Sequence, residues 1–346
     1  MLNMHRFIVY SLMNNISSKL NNIWYSKDRP PLLLVILSMI FSLLVKIRST
    51  LFTSKILSST KVPVPVIVIG NITVGGTGKT PITLFLADWF NDKGKKIGII
   101  SRGYKGKKTR EVPFILSEND NAYDYGDEAV YMARESKAMV CVCKNKTKAA
   151  ALLIDAGVEL IISDDGLQHY KLARDYEIVV IDSTRLLGNG YHLPAGPLRE
   201  SSDRLNSVDL ILINGDKNEQ QNLFIGSAPT LNFSIENEYL IDLNTSDKLK
   251  LKDFKGQTFK VLAGLGSPEK LYKKIEDHGI EVIPIITEDH GLINLEKLHK
   301  EDSYPLMMTP KDAVKYSGSF PANSYLLEPT IRIDKDYFLK IFGQYL

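Results

Sequence analysis

A glycine-rich segment with a Gly-Lys-Thr sequence stands between an apolar run and a helical pattern. The run from Val66 to Ile69 is β-branched, which is typical of a strand buried on both faces. It leads through GNITVGGTGKT into apolar residues at helical spacing from Pro81 to Trp89. Glycines at a strand-to-helix turn let backbone N–H groups converge on phosphate oxygens. The pattern predicts a loop that binds a nucleoside triphosphate.

Each position in this loop has a predicted role. Lys79 reaches the transferable phosphate, and the Thr80 hydroxyl can ligate Mg²⁺. The phosphate-loop pattern G-x-x-x-x-G-K-[ST] has glycine where this chain has Thr73. A glycine-rich turn before an ordinary helix is the alternative interpretation. The predicted nucleotide-binding residues are Thr73, Val74, Gly75, Gly76, Thr77, Gly78, Lys79 and Thr80.

Two adjacent carboxylates, Asp164 and Asp165, follow an apolar strand pattern over residues 158–163. Carboxylates near a core are costly unless a cation or hydrogen-bond donors compensate them. In a protein with a phosphate loop, the natural cation is the Mg²⁺ of the nucleotide. We therefore predict metal binding by Thr80, Asp164 and Asp165. An Asp-Asp-Gly turn without a metal is the alternative.

Further candidates follow other predicted elements. Arg102 comes after a strand pattern at residues 96–100, and ligands of open α/β sheets bind at the carboxyl ends of strands. Arg102 is therefore well placed to meet an anion, although a solvated turn arginine is equally consistent. Asp127 and Glu128 open a helical pattern, where acidic residues also occur for capping and helix-dipole reasons alone.

Composition excludes some classes of protein. The net charge of +3 does not favour a nucleic-acid binder, for which a strongly basic face is expected. Cys141 and Cys143 are the only cysteines, and they alternate with valines in a strand-like run. They are predicted to fill the core in a reducing compartment, without a disulfide framework.

An apolar segment precedes the phosphate loop. Residues 30–45 form an uncharged run of about 16 residues, somewhat shorter than the ~20 that span a bilayer. We expect a membrane-inserted or interfacial anchor, with a buried core helix as the alternative. The basic residues that follow it suit an anionic membrane surface and would mark the cytoplasmic side. These residues are Lys46, Arg48, Lys55 and Lys61.

Strand and helix patterns alternate along the remaining chain. This alternation predicts an α/β fold, with a mainly parallel phosphate-loop NTPase-like sheet flanked by helices, in two lobes. The predicted organisation is an extension at 1–29, a membrane-anchoring segment at 30–60, a phosphate-loop core at 61–208 and a C-terminal lobe at 209–346 that completes the active site.

Several segments occur in one order along the chain. They are VPVPVIVIGNITVGGTGKTP, ISRGYKGK, GDEAVYMA, SDDGLQHYKLARDYEIVVID, GNGYHLPAGPLRE, EDHGLIN and MTPKDAVK. Together they resemble the tetraacyldisaccharide 4'-kinase family, the lipid A 4'-kinases of Gram-negative bacteria. The resemblance extends over nearly all of the chain from about residue 24, and Thr73 matches that family's usual loop.

The resemblance implies transfer of the γ-phosphate of ATP to the 4'-hydroxyl of a membrane-embedded tetraacyl glucosamine disaccharide 1-phosphate. The product would be lipid IVA, at the cytoplasmic face of the inner membrane. The resemblance also implies that Asp127 is the base toward the sugar hydroxyl and that His290 pairs with it. Mg²⁺ is the implied metal, and neither nucleic acid nor an obligatory protein partner is expected. Further candidates for metal or acceptor contacts are Arg102, Glu128, His169, Arg199 and Glu200.

The alternative is a phosphate-loop GTPase or ATPase that couples hydrolysis to a protein partner. A GTPase should carry an Asn/Thr-Lys-x-Asp motif, and the strings at 214–217 and 309–312 do not match it. A metal-delivery ATPase should carry a Cys- or His-rich tract, which six scattered histidines do not supply. A membrane scaffold that binds ATP without catalysis is a third class. Lys79, Thr80, Asp127 and Asp164 argue against it, because a scaffold has no need of a proton acceptor and a metal site together.

Overall fold

The structure is a computed structural model that describes most of the chain. The described residues are 19–26, 28–108, 111–215, 226–266, 268–285, 292–302, 304–316, 318 and 320–346.

The described strands form one sheet of thirteen strands. In chain order they are β1 (Val66–Gly70), β2 (Ile97–Ser101), β3 (Phe114–Ile115), β4 (Met139–Val142), β5 (Leu160–Ser163), β6 (Tyr176–Asp182), β7 (Leu210–Asn214), β8 (Thr230–Asp242), β9 (Lys248–Lys250), β10 (Thr258–Leu262), β11 (Glu281–Ile285), β12 (Leu306–Met308) and β13 (Ser324–Ile333).

The sheet is mainly parallel, as predicted. Its order is β11-β10-β12-β13-β8-β7-β6-β1-β5-β2-β4-β3, with β9 paired to β8. The antiparallel pairs are β3 with β4, β8 with β9 and β8 with β13. Strand β1 lies between β5 and β6, and all five of its residues are buried. A parallel strand that is covered on both faces must be apolar throughout, which explains its run of valine and isoleucine.

Helices cover both faces of the sheet. They are α1 (Leu32–Thr53), α2 (Lys79–Asn91), α3 (Ala122–Tyr125), α4 (Asp127–Glu135), α5 (Lys146–Asp155), α6 (Pro268–Glu276), α7 (Leu295–Glu301), α8 (Pro310–Ala313) and α9 (Lys335–Phe342). Apolar residues of α2, α4 and α9 pack in one core cluster, and those of α5 pack in another with the two buried cysteines. Among the described helices, α1 is long and apolar enough to cross a membrane by length and composition.

A long antiparallel pair joins two parts of the sheet. We call strands β1 to β7 the amino-terminal part and strands β8 to β13 the carboxyl-terminal part. Strand β8 has 13 residues and pairs with β7 on one side and with β13 on the other. The domain boundaries given above stay predictions. Strand β7 lies beyond residue 208, the predicted end of the core, but it pairs with β6 of that core.

The end of the chain returns to the amino-terminal part. In α9, Phe338 and Phe342 are fully buried in the same core cluster as Ile67 of β1. The ring of Phe338 packs edge-on against Phe85 of α2, with 5.5 Å between the centroids. The helix that follows the phosphate loop is therefore packed against the last helix of the chain.

This packing gives a stability prediction. Phe338→Ala should lower the free energy of unfolding by about 3–5 kcal/mol, because it leaves a cavity between α2 and α9. Urea unfolding followed by circular dichroism measures the change. Leu339→Ala is the matched control on the same helix, since Leu339 is 48% exposed, and it should change stability by less than ~0.5 kcal/mol. Equal losses in the two variants would contradict the packing role of Phe338.

Candidate active site

The predicted phosphate loop connects the buried strand β1 to α2, as the sequence indicates. Gly78 caps α2 with a φ of 96°, and Gly75 has a φ of 105°. Both values lie in the left-handed region that favours glycine. A Cβ at Gly78 would also lie 2.9 Å from the Asn214 side-chain nitrogen. The loop therefore needs glycine at these positions for its backbone path.

Neighbouring segments hold the loop from two sides. The Asn214 amide of β7 donates to the Thr77 carbonyl at 3.2 Å. On the other side, the Val74 N–H donates to the Pro197 carbonyl at 2.9 Å, and the Arg199 N–H donates to the Ile72 carbonyl at 2.7 Å. Because two of these contacts join backbone groups and the third uses the half-buried Asn214 amide, the loop is held in one shape before any phosphate binds.

Asp165 lies within reach of two cations. Its carboxylate is 3.5 Å from Lys79 Nζ and 3.2 Å from Arg199 Nη1. Burial raises the pKa of Asp165, but Lys79 and Arg199 outweigh this effect and lower that pKa to about 2. The residue adopts a φ of 43°, which turns the chain directly after β5. The phosphate-loop lysine is thus paired with an acid that a bound phosphate can replace.

Asp164 is much more deeply buried than Asp165. Its side chain accepts a hydrogen bond from Thr83 Oγ1 at 3.2 Å, and the Lys146 ammonium donates to its backbone carbonyl. Burial, followed by the charges of Glu128 and Asp165, raises the pKa of Asp164 to about 6. Burial likewise lowers the pKa of Lys146 to about 8, against the opposing effect of the two aspartates.

These residues are compatible with an Mg²⁺ ion that is shared with a nucleotide. Within the described residues, no group of three or more His, Cys, Asp or Glu side chains could hold a metal ion alone. Mg²⁺ usually binds one or two carboxylates and completes its shell with phosphate oxygens and waters. The Asp164 carboxylate, which is buried and has a raised pKa, and the Thr80 hydroxyl at the start of α2 are oxygen ligands of this kind.

Asp127 and Glu128 lie at the start of α4, and each is paired with a lysine from the carboxyl-terminal part. Lys315 Nζ is 3.6 Å from Asp127 Oδ2, and Lys311 Nζ is 3.0 Å from Glu128 Oε1. The preceding Gly126 has a φ of 91°, and a Cβ there would lie 2.5 Å from the Tyr104 carbonyl. The segment that follows Arg102 therefore packs directly against the start of α4.

The other predicted residues lie around this centre. Arg102 is exposed at the carboxyl end of β2, which neighbours β5 in the sheet. Glu200 is buried, and it accepts a hydrogen bond from Tyr170 at 2.9 Å and pairs with Arg204 at 3.4 Å. Burial and nearby cations lower the pKa of His169 to about 4. His290 lies outside the described residues.

Sequence reasoning missed several charged residues at this edge of the sheet. Arg185 donates to the Gly76 carbonyl in the phosphate loop, and Lys270 of α6 pairs with Asp182 at 2.7 Å. Lys146, Lys311 and Lys315 were also missed. The sequence carries only one signal for them: Lys311 and Lys315 lie in the segment MTPKDAVK that contributes to the resemblance.

Known proteins are similar to this chain in sequence. A profile of the family described as Tetraacyldisaccharide-1-P 4'-kinase, LpxK, matches residues 31–345. The chain belongs to this family. The tetraacyldisaccharide 4'-kinase of Haemophilus influenzae is 41% identical over 295 residues, which cover 84% of this chain and 86% of that protein. The same enzyme of Actinobacillus succinogenes is 39% identical over 311 residues, which cover 89% and 92%.

A solved structure extends the similarity to the fold. The crystal structure of LpxK from Aquifex aeolicus in complex with ATP is 28% identical in sequence and superposes with a TM-score of 0.74, covering 89% of this chain and 97% of that one. These comparisons confirm the predicted family, the α/β fold and the activity of a tetraacyldisaccharide 4'-kinase of lipid A biosynthesis. They do not favour the alternative of a GTPase or ATPase coupled to a protein partner.

The buried carboxylate gives a pH-dependent prediction. Since the pKa of Asp164 rises from 3.8 to about 6 on folding, ionising it costs stability, and this cost is absent below pH 3.8 and complete above pH 6. Asp164→Asn should therefore raise the free energy of unfolding at pH 7 by about 1–3 kcal/mol, and by less at pH 4.5. Urea unfolding in EDTA, without nucleotide, measures both values.

Asp165→Asn is the matched control, with the opposite sign. The lowered pKa of Asp165 means that its ionised form stabilises the fold above pH 3.8 and loses this effect as the pH falls toward 2. The Asp165 variant should therefore be less stable than the native protein at pH 7. A loss of stability at pH 7 in Asp164→Asn would contradict a free-energy cost of ionising Asp164 in the folded protein.

Proposed function

We propose that this protein transfers the γ-phosphate of ATP to the 4'-hydroxyl of a tetraacyl glucosamine disaccharide 1-phosphate. The product is lipid IVA, formed at the cytoplasmic face of the inner membrane. One observation carries the proposal: the phosphate loop, the Asp164–Asp165 pair and the start of α4 lie at one edge of the sheet in a member of the kinase family. The LpxK of Aquifex aeolicus, described in complex with ATP, supports ATP as the donor.

The phosphate loop binds the nucleotide. The residues from Thr73 to Thr80 surround the phosphates, and the amino terminus of α2 adds the positive end of its dipole. When the nucleotide binds, the Lys79 ammonium pairs with the transferring phosphate in place of Asp165 and balances the negative charge of that phosphate. Thr80, Asp164 and Asp165 would hold Mg²⁺, which supplies charge neutralisation on the phosphate oxygens when it is bound.

Asp127 accepts the proton of the sugar hydroxyl. A hydroxyl is a poor nucleophile at neutral pH, and a carboxylate held in one place can take its proton as the new bond forms. Asp127 is buried at the first position of α4, so its position is fixed by the helix. We assign His290 as its partner. Arg102 and Arg199 offer cations to phosphate groups, and Glu128, His169 and Glu200 are assigned to the acceptor side.

Helix α1 binds the membrane along one leaflet. Its Ser38 hydroxyl donates to the His192 carbonyl at 2.8 Å, its Arg48 side chain donates to the Gln168 carbonyl at 3.2 Å, and its Phe52 ring stacks on Tyr170. The helix is thus held on the protein from Ser38 to Phe52, which spans ~21 Å of its length. Only six residues precede Ser38 in the helix, too few for the ~30 Å of a bilayer core.

The opposite face of α1 is apolar and exposed. Its side chains are the largest group of exposed apolar residues among those described, and they suit insertion into lipid. This geometry supports residues 30–60 as the anchoring segment. The residues of this face are Leu32, Leu33, Ile36, Leu37, Met39, Ile40, Leu43, Leu44 and Ile47.

Loss of either reacting side chain should stop the reaction. Lys79→Ala and Asp127→Asn should each reduce phosphate transfer by at least ~100-fold, because they remove charge balance and proton acceptance. The measurement is transfer of labelled γ-phosphate from ATP to the tetraacyl disaccharide 1-phosphate in detergent micelles with Mg²⁺. Asp92→Asn is the matched control, because Asp92 is an exposed aspartate at the far end of α2.

The same assay separates the alternatives. Near-native turnover in a folded Asp127→Asn protein would show that Asp127 is not the base. Phosphate released at the same rate without the lipid would identify a hydrolase instead of a kinase.

Charges on the apolar face of α1 should prevent membrane binding. The double variant Ile40→Asp/Leu44→Asp should reduce the fraction bound to anionic vesicles at least tenfold, since buried carboxylates cost several kcal/mol in lipid. Vesicle co-sedimentation measures this fraction. Val112→Asp is the control, because Val112 is also exposed and lies next to β3, the strand at one end of the sheet. Full co-sedimentation of the double variant would place the anchor elsewhere.

A further inference from the structure

The segment MTPKDAVK places a buried lysine against the proposed base. Lys315 Nζ is 2.7 Å from Asp312 Oδ1 and 3.6 Å from Asp127 Oδ2. The three side chains are between 0% and 8% exposed, so the cation lies between two carboxylates away from bulk water. Ion pairs at such depth persist only where geometry and further hydrogen bonds compensate for lost hydration.

Asp312 has the contacts that make it a fixed anchor. Its Oδ2 accepts hydrogen bonds from the Gly264 N–H at 2.7 Å and from the Thr309 hydroxyl at 2.6 Å. A Cβ at Gly264 would lie 2.7 Å from Asp312 Oδ1, so the strand end approaches this carboxylate as closely as glycine allows. Thr309 also caps α8. Backbone and side-chain donors from two segments thus set the position of Asp312, and Asp312 sets that of Lys315.

Asp127 receives this cation from another part of the sheet. Asp127 begins α4, which follows β3, whereas Lys315 follows α8 after β12. The contact therefore exists only when the amino-terminal and carboxyl-terminal parts are packed together. An ion pair to one of the two carboxylate oxygens favours one orientation of the Asp127 side chain. Proton acceptance from a hydroxyl depends strongly on such an orientation.

We propose that Lys315, held in place by Asp312, is a positioning residue that orients Asp127 for proton acceptance from the sugar hydroxyl. This inference rests on the proposed function, which assigns Asp127 as the base. The neighbouring contact of Lys311 with Glu128 at 3.0 Å strengthens the same junction from the side of α8. The carboxyl-terminal part thereby contributes to the reaction through Asp127.

The test compares three variants in the micellar kinase assay. Lys315→Met removes the cation, Lys315→Arg keeps it, and Asp312→Asn/Lys315→Met removes both charges of the buried pair. The double variant is included because an unpaired buried carboxylate can itself destabilise the fold. Lys260→Met is the matched control, since Lys260 is also a buried lysine of the carboxyl-terminal part, with Asp302 and the Leu298 carbonyl as its partners.

We expect kcat to fall ~10–100-fold in Lys315→Met and in the double variant, the usual cost of losing a supporting contact to a reacting group. The KM for ATP should not change, and Lys315→Arg should recover most of kcat. Lys260→Met should retain kcat. A structural role would instead lower kcat equally in Lys260→Met and Lys315→Met, in proportion to the stability that each variant loses in urea unfolding. That result would overturn the proposal.

A double-mutant cycle with Asp127→Asn shows whether Lys315 acts through Asp127. If it does, Lys315→Met should slow the Asp127→Asn protein no further. Multiplicative losses would mean that Lys315 acts independently, which overturns this inference and leaves the assignment of Asp127 intact. Native turnover in Asp127→Asn alone would instead remove the base assignment, and this inference with it.

Discussion

The site depends on the charge balance at the carboxyl ends of β1, β2 and β5. Asp164 and Asp165 follow a strand whose residues are all buried, so their charges must be balanced by protein groups or by a bound cation. Lys79 and Arg199 balance the charge of Asp165. The Asp164 carboxylate accepts a hydrogen bond from Thr83 instead, and its pKa is raised. One carboxylate is therefore satisfied by the protein, and its neighbour retains an excess of negative charge. Such an excess suits Mg²⁺ better than a fully paired site does.

The segment of residues 188–200 connects this charged edge to helix α1. Its His192 carbonyl accepts a hydrogen bond from Ser38 of α1, and its Pro197 carbonyl accepts one from Val74 of the phosphate loop. Arg199, two residues later, pairs with Asp165. One short segment thus fixes the distance from α1 to the phosphate loop. An enzyme with a soluble donor and a membrane-embedded acceptor needs this distance to be constant.

The carboxyl-terminal part completes the arrangement from the opposite side. Its strand β8 continues the sheet from β7, and its last helix packs against α2. Lys270, Lys311 and Lys315 each pair with a carboxylate of the amino-terminal part. These contacts explain why the chain needs residues beyond the phosphate-loop core: the start of α4 is held by cations that the core does not contain.

The sequence by itself determined the local features, because these depend on neighbours along the chain. The apolar run of β1, the glycines at residues 75 and 78, and the acidic pair after β5 could all be recognised from residue type and spacing. The segments with family resemblance added the reaction, which no single motif specifies. Residues 230–242 and 324–333 gave no strand prediction. Their mixed burial pattern follows from pairing with each other, and that pairing is decided by the fold.

Only the tertiary structure decided which charges meet. Lys146 is 18 residues from the Asp164 carbonyl that it contacts, and Lys311 is 183 residues from Glu128. Lysines of this kind look like ordinary surface residues in a sequence, because burial and partner depend on chain segments that are far apart. Glu200 and its neighbour Arg199 also have different partners for this reason. Glu200 contacts Tyr170 and Arg204, whereas Arg199 pairs with Asp165. Spacing along the chain specifies a loop and a strand, whereas ion pairs between distant segments require the packed sheet.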